Sequence, residues 1–119
     1  ADDTAFMFKV MEVLPDGRSY NIRTGVTSLG YRNGSPHRVS YTPNTAVALL
    51  IDSWDISYQF QAGSRIRLDI YSSDFPQYAV HSNFAGEWAK QAEIKPAEQT
   101  IFWGLAYDSC LILPLGTEN

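Results

Sequence analysis

The chain has 119 residues, a mass of 13.3 kDa, nine Lys and Arg against thirteen Asp and Glu, and a formal net charge of -4. That length holds one core, so a single domain over residues 1–119 is expected. The lone cysteine, Cys110, excludes an internal disulfide and a multi-cysteine metal site, and a pI near 4.9 without a basic stripe argues against a nucleic-acid partner.

Hydrophobic residues make up 45% of the chain and charged residues 18%, a globular composition. Aromatic residues at 13% suit a β-rich protein. No apolar run approaches the ~20 residues of a membrane-spanning helix, so no membrane partner is expected. The opening Ala1-Asp2-Asp3-Thr4 has no signal-peptide form and reads as a mature or trimmed beginning.

Along the chain, period-two alternation dominates. In Ala5–Leu14, Phe6, Phe8 and Val10 take one face and Met7, Lys9, Met11 and Val13 the other. Two largely apolar faces predict a central strand covered on both sides. Pro15-Asp16-Gly17 is turn chemistry, Arg18–Thr24 reads as a second strand, and Phe6–Leu14 with Ser19–Ile22 across that short loop predicts a hairpin. Weaker alternation over Gly25–Arg32 ends at Asn33-Gly34-Ser35-Pro36, and Thr42-Pro43-Asn44-Thr45 is a further breaker. Ala46–Ile56 is the longest strand candidate, with Leu50, Trp54 and Ile56 on one face. Arg65–Ser72 is the clearest half-buried strand: Ile66, Leu68 and Ile70 alternate with Arg65, Arg67, Asp69 and Tyr71. The polar stretch Gln77–Pro96 holds one helical turn, around Ala85–Gln91. Glu98–Trp103 and Ser109–Leu115 complete about seven short strands, the spacing of an antiparallel sandwich or jelly roll.

Residues for chemistry are sparse. Serine nucleophiles need a held base, and only His37 and His81 are present, both in loop sequence and without a G-x-S-x-G elbow. Solvated loop histidines are the expectation, and no catalytic residue is assigned. Cys110 precedes Leu111-Ile112-Leu113, which predicts a buried, inert thiol. Asp52, Asp55, Asp69, Asp74 and Asp108 lack a calcium-loop spacing and read as turn formers, so neither a metal nor a cofactor is assigned. Trp54 and Trp103 sit in strand patterns and are expected in the core. Trp88, in the polar stretch, is the tryptophan expected at the surface. With Tyr78 and His81 it makes the candidate contact set for another domain or a ligand.

One segment carries a family resemblance. Gly63-Ser64-Arg65-Ile66-Arg67-Leu68-Asp69-Ile70-Tyr71-Ser72-Ser73-Asp74-Phe75-Pro76 resembles the G-H-R-(I/L)-R-(L/V)-x-(I/V)-S-S-S-x-(F/W)-P run of the X-Pro dipeptidyl-peptidase and cocaine-esterase-like α/β-hydrolases, in their C-terminal non-catalytic domain. In the same order, Asp3–Val10 resembles the family's D-T-D-F-x-x-K-(L/V) strand and Val13–Ser19 its D-V-x-P-D-G-R-(S/A) turn. Tyr31-Arg32, Ala97–Phe102 and Ser109–Pro114 follow its later motifs. Ser64 departs from the usual His, and Gln77–Asn83 departs from the family's R-(F/Y)-x-x-N run.

The resemblance implies an all-β jelly-roll β-sandwich of galactose-binding-domain-like architecture, lacking its first strand or two. It implies a catalytic α/β-hydrolase domain of the same parent chain as partner, with the Ser, Asp and His triad there. Homo-oligomerisation through an exposed strand edge is a further expectation. The alternative function is a stand-alone carbohydrate-binding β-sandwich module.

Overall fold

The computed structural model describes residues 1–116. Strand β1, Ala5–Val13, lies at the centre because both of its faces are apolar. Its residues are buried throughout except for the half-buried Lys9 and Val13. Strand β2, Ser19–Ser28, pairs antiparallel with β1, and β3, Arg65–Tyr71, pairs antiparallel with the opposite edge of β1. The sheet order is therefore β2-β1-β3.

The expected hairpin forms. Leu14 N donates to Arg18 O at 2.8 Å and Gly17 N to Leu14 O at 2.9 Å, closing the Pro15-Asp16-Gly17 turn. Gly17 sits at φ +90°, which glycine enters without steric cost. The Asp16 carboxylate accepts from Arg18 N at 3.0 Å. The second strand runs to Ser28, four residues past the expected end. Its register slips once: Val10 faces Arg23 and Met11 faces Asn21, leaving Ile22 as the extra residue of a bulge.

The core is built on β1: Ala5, Phe6, Met7, Phe8, Val10, Met11 and Leu14, joined by Leu29. Phe8 faces Gly25 across the ladder, and its ring covers the space a side chain would need there. A Cβ on Gly25 would lie 2.9 Å from Phe8 Cζ and closer still to Cε1.

After β2, a kinked 3₁₀ turn over Leu29–Gly34 starts the long connection to β3. Arg32 fixes this corner by donating from Nη1 to Leu29 O at 2.6 Å and from Nη2 to Ser40 O at 2.9 Å. Asn33, at φ +60°, accepts on Oδ1 from Leu50 N at 2.8 Å. One side chain thus holds a segment expected to be a strand.

That expectation, and two like it, are corrected. Ala46–Ile56, Glu98–Trp103 and Ser109–Leu115 are not strands; Gly104 and Tyr107 form only an isolated bridge. Alternation marks which side chains would share a face, but a strand exists only when a neighbour completes its hydrogen-bond ladder. Among the described residues, the sheet stops at three strands. The tryptophans follow suit: Trp54 is 85% exposed and Trp103 78%, not core, and Cys110 is exposed rather than buried. The helical turn expected within Ala85–Gln91 is a short 3₁₀ turn, Trp88–Lys90.

The resulting chain is all-β in its long elements and open. Its radius of gyration is 16.4 Å, whereas a closed domain of this length has about 13.5 Å.

Candidate functional site

Two buried carboxylates organise the molecule. Asp3 lies just before β1 and is 1% exposed. Its Oδ1 accepts from Thr4 N and from Gly30 N, both at 2.9 Å, and its Oδ2 accepts from Arg38 Nη2 at 3.0 Å. One side chain thereby joins the start of β1 to the corner after β2 and to the connection beyond. Burial without this pairing would be costly, since a buried carboxylate needs donors for its lone pairs. The adjoining Thr4 hydroxyl accepts from Gln99 Nε2 at 2.7 Å, and the same amide nitrogen donates to Ala5 O at 2.9 Å, so the C-terminal segment is pinned to this point too.

His81 belongs to the same cluster. It is buried, not a solvated loop histidine, and its Nε2 lies 3.9 Å from Asp3 Oδ2. Its Nδ1 accepts from Asn83 N at 2.9 Å, which places the neutral ring's proton on Nε2, toward Asp3. Burial pushes its pKa below the ordinary value; the Asp3 carboxylate opposes that shift, and the nearby Arg38 charge adds to it. His37, by contrast, is exposed.

The second carboxylate is Glu12, on the face of β1 that carries Phe8 and Val10, and it too is buried. The Tyr58 hydroxyl and Gln61 N donate to it, the latter at 2.7 Å. The hydrogen bond from Tyr58 holds its carboxyl below the usual range, helped by Gln61 N and Ser64. Glu12 thus anchors the segment that leads into β3. Its signal in the sequence is parity: an acid in step with Phe8 and Val10 on a strand buried on both sides must find donors.

On the opposite face, Lys9 Nζ lies 5.2 Å over the Tyr71 ring, and the Tyr71 hydroxyl donates to Asp74 at 3.1 Å. Burial first, and then the Asp74 bond, raise the Tyr71 pKa to about 12. Gln77 Nε2 reaches Thr24 Oγ1 at 3.2 Å, tying the segment after β3 across to β2.

Of the three residues marked as contacts, His81 faces inward to Asp3. Tyr78 is half-buried and its N–H caps the turn after β3, donating to Asp74 O at 3.0 Å. Trp88 opens the short 3₁₀ turn, but its side chain lies outside the described residues. Among the described residues, no group of three His, Cys, Asp or Glu is placed to hold a metal ion. No described helix is long and apolar enough to cross a membrane.

The surface is unusual instead for its apolar content. Trp54, Phe75, Trp103 and Ile112 are each more than two-thirds exposed, and Ile66, Leu68 and Ile70 stand about half exposed along β3. The Arg23 guanidinium lies 5.8 Å over the Trp54 ring.

The fold and these clusters define an all-β structural module: internally braced carboxylates, and apolar residues turned outward. A model of the X-Pro dipeptidyl-peptidase C-terminal non-catalytic domain matches residues 1–112. The chain is also 31% identical, over 117 residues, to a cocaine esterase of Rhodococcus sp. (strain MB1 Bresler). That alignment takes in 97% of this chain and 20% of the esterase, so the chain spans about a fifth of that relative's length. The chain belongs to the X-Pro dipeptidyl-peptidase C-terminal non-catalytic domain family.

Proposed function

We propose that residues 1–119 act as the C-terminal accessory domain of a serine hydrolase of the X-Pro dipeptidyl-peptidase, esterase or acylase type. The domain stabilises the catalytic α/β-hydrolase domain of the same parent chain and shapes the entrance to its active site. In the parent, the three-stranded sheet is part of a jelly-roll β-sandwich of galactose-binding-like architecture. The observation that carries this reading is the outward display of Trp54, Trp103 and the β3 apolar row by a chain that belongs to a non-catalytic domain family. An apolar face of this kind gains roughly 25 cal/mol for each Å² it loses to a covering surface.

Trp88, Tyr78 and His81 keep distinct roles in this proposal. Trp88 and Tyr78 contribute to the contact with the catalytic domain, and His81 holds their loop from within by lying against Asp3. The test is to substitute Trp54 and Trp103 by serine in the full parent protein. Thermal stability and KM are expected to change while the serine nucleophile remains titratable by a covalent inhibitor. Unchanged stability and KM would remove the proposal. A stand-alone carbohydrate module would instead show glycan binding by the 119-residue chain that Trp88→Ala abolishes.

A further inference from the structure

Residues 82–95 close on themselves as a compact loop whose ends meet. Lys95 N donates to Ser82 O at 3.0 Å, Asn83 Nδ2 to Lys95 O at 2.7 Å, and Gln91 Nε2 to Ala85 O at 2.9 Å. The Ser82 hydroxyl donates to Gln91 Oε1. His81 and Ser82, at the base of the loop, are buried, whereas Ala85, Gly86, Glu87, Ala92, Glu93 and Ile94 are exposed. Two tethers fix the loop to consecutive carboxylates ahead of β1. At the surface, Lys95 Nζ donates to Asp2 at 2.7 Å; inside, the His81 ring lies against Asp3.

The inner tether works in one protonation state. His81 Nδ1 accepts from Asn83 N at 2.9 Å, and an imidazolium, which carries a proton on both nitrogens, cannot accept there. A charged ring would also set a second cation beside Arg38, whose Nη2 already holds Asp3 Oδ2 at 3.0 Å. The groups facing the ring are Asp3, from ahead of β1, and Arg38, from the connection after β2; Asn83 lies on its own loop. Burial opposes the charged ring, Asp3 favours it and Arg38 opposes it, and the balance leaves the His81 pKa below its ordinary value. The outer tether is indifferent to mild acid, because the hydrogen bond from Lys95 holds the Asp2 carboxyl below its ordinary 3.8. We propose that residues 82–95 form a strap that neutral His81 latches against the start of β1, and that mild acid releases the strap by protonating His81. Release uncovers the Asp3 carboxylate and leaves the strap, with Trp88 in it, held at Lys95.

This inference takes the holding role of His81 further and stands on contacts within the chain, apart from any catalytic domain. Its test is hydrogen exchange, read by mass spectrometry on the native gene product at about pH 7.5 and about pH 5.5, on either side of the histidine range. Labelling times are scaled for the chemical exchange rate. A released His81 has the ordinary pKa of 6.5, so the opening constant grows about tenfold for each pH unit below that value while the latched ring stays neutral. Peptides of residues 82–95 are therefore expected to exchange about tenfold faster at the lower pH, while β1 peptides keep their protection. His81→Asn, whose Oδ1 can accept from Asn83 N without titrating, is expected to keep the strap protected at both pH values. His81→Ala, which has no acceptor, is expected to leave it exchanging fast at both. Strap exchange that is equal at the two pH values in the wild-type chain overturns the proposal. So does an equal loss of protection in β1, which is global unfolding, or a pH effect that survives in His81→Asn. A variant that fails to fold loses β1 protection, and the wild-type comparison then decides alone.

Discussion

Asp3 and Gly30 meet across 27 residues: the carboxylate before β1 accepts the glycine N–H at 2.9 Å, and any side chain at Gly30 would strike that carboxylate. The start of the first strand and the corner after the second are thus one structural unit. Gly30→Ala is expected to displace Asp3 Oδ2 from Arg38 and to cost about 2 kcal/mol. Asp3→Ala, which strands the Thr4 and Gly30 donors and the Arg38 charge, is expected to cost about 3 kcal/mol. Urea unfolding of the two variants measures both. If Asp3→Ala proved as stable as the parent sequence, the bracing role would be wrong.

Gly25 gives a sharper steric test. The Phe8 ring occupies the position of a Gly25 side chain, so Gly25→Ala is expected to destabilise by about 1–3 kcal/mol. The strain should ease when Phe8 is shortened. Against a Phe8→Leu background, Gly25→Ala is expected to cost less than half as much, a coupling that a double-mutant cycle reads directly.

Acid should loosen the chain in two stages, and both have the same sign. Burial depresses the folded-state pKa of His81 below its ordinary 6.5. Between the two values the unfolded chain holds a proton that the folded chain does not, so stability is full above pH 6.5 and falls as pH drops toward the folded value. Glu12 is depressed below 4.5, chiefly by the Tyr58 hydrogen bond, and adds a second loss as pH falls below that point. Denaturation midpoints between pH 7.5 and 4 are expected to decline first near pH 6.5. In His81→Gln the first decline should vanish while the second stays. A first decline that survives in His81→Gln would assign it to another group.

The exposed tryptophans predict a split between chain and parent. Trp54→Ser and Trp103→Ser remove little buried surface from the 119-residue chain, so its stability is expected to change by less than about 0.5 kcal/mol. In the parent the same substitutions should weaken the contact with the catalytic domain. Equal destabilisation in both settings would place these rings in the domain's own core.

Much of the fold was legible in the sequence where the needed information is local. The double-sided apolar run of β1, the Pro-Asp-Gly turn and the alternation of β3 each dictate an element through side-chain parity or turn geometry. Ala46–Ile56, Glu98–Trp103 and Ser109–Leu115 alternate as clearly, yet they are not strands. Parity is local, whereas pairing needs a neighbour of matching register, and the described residues offer them none. The same reasoning placed Trp54, Trp103 and Cys110 inside when they are outside. The Asp3 cluster escaped for the opposite reason: its parts, Gly30, Arg38, His81 and Gln99, are scattered through the chain, and only the fold collects them.

An accessory domain of a larger hydrolase is made as part of a much longer chain. The most direct measurement is the mass of the native gene product, by immunoblot of source cells with an antibody raised to this chain. A relative of which this chain spans 20% sets the expected band at about five times 13.3 kDa. A native band at 13.3 kDa would contradict the claim and leave a domain that works alone.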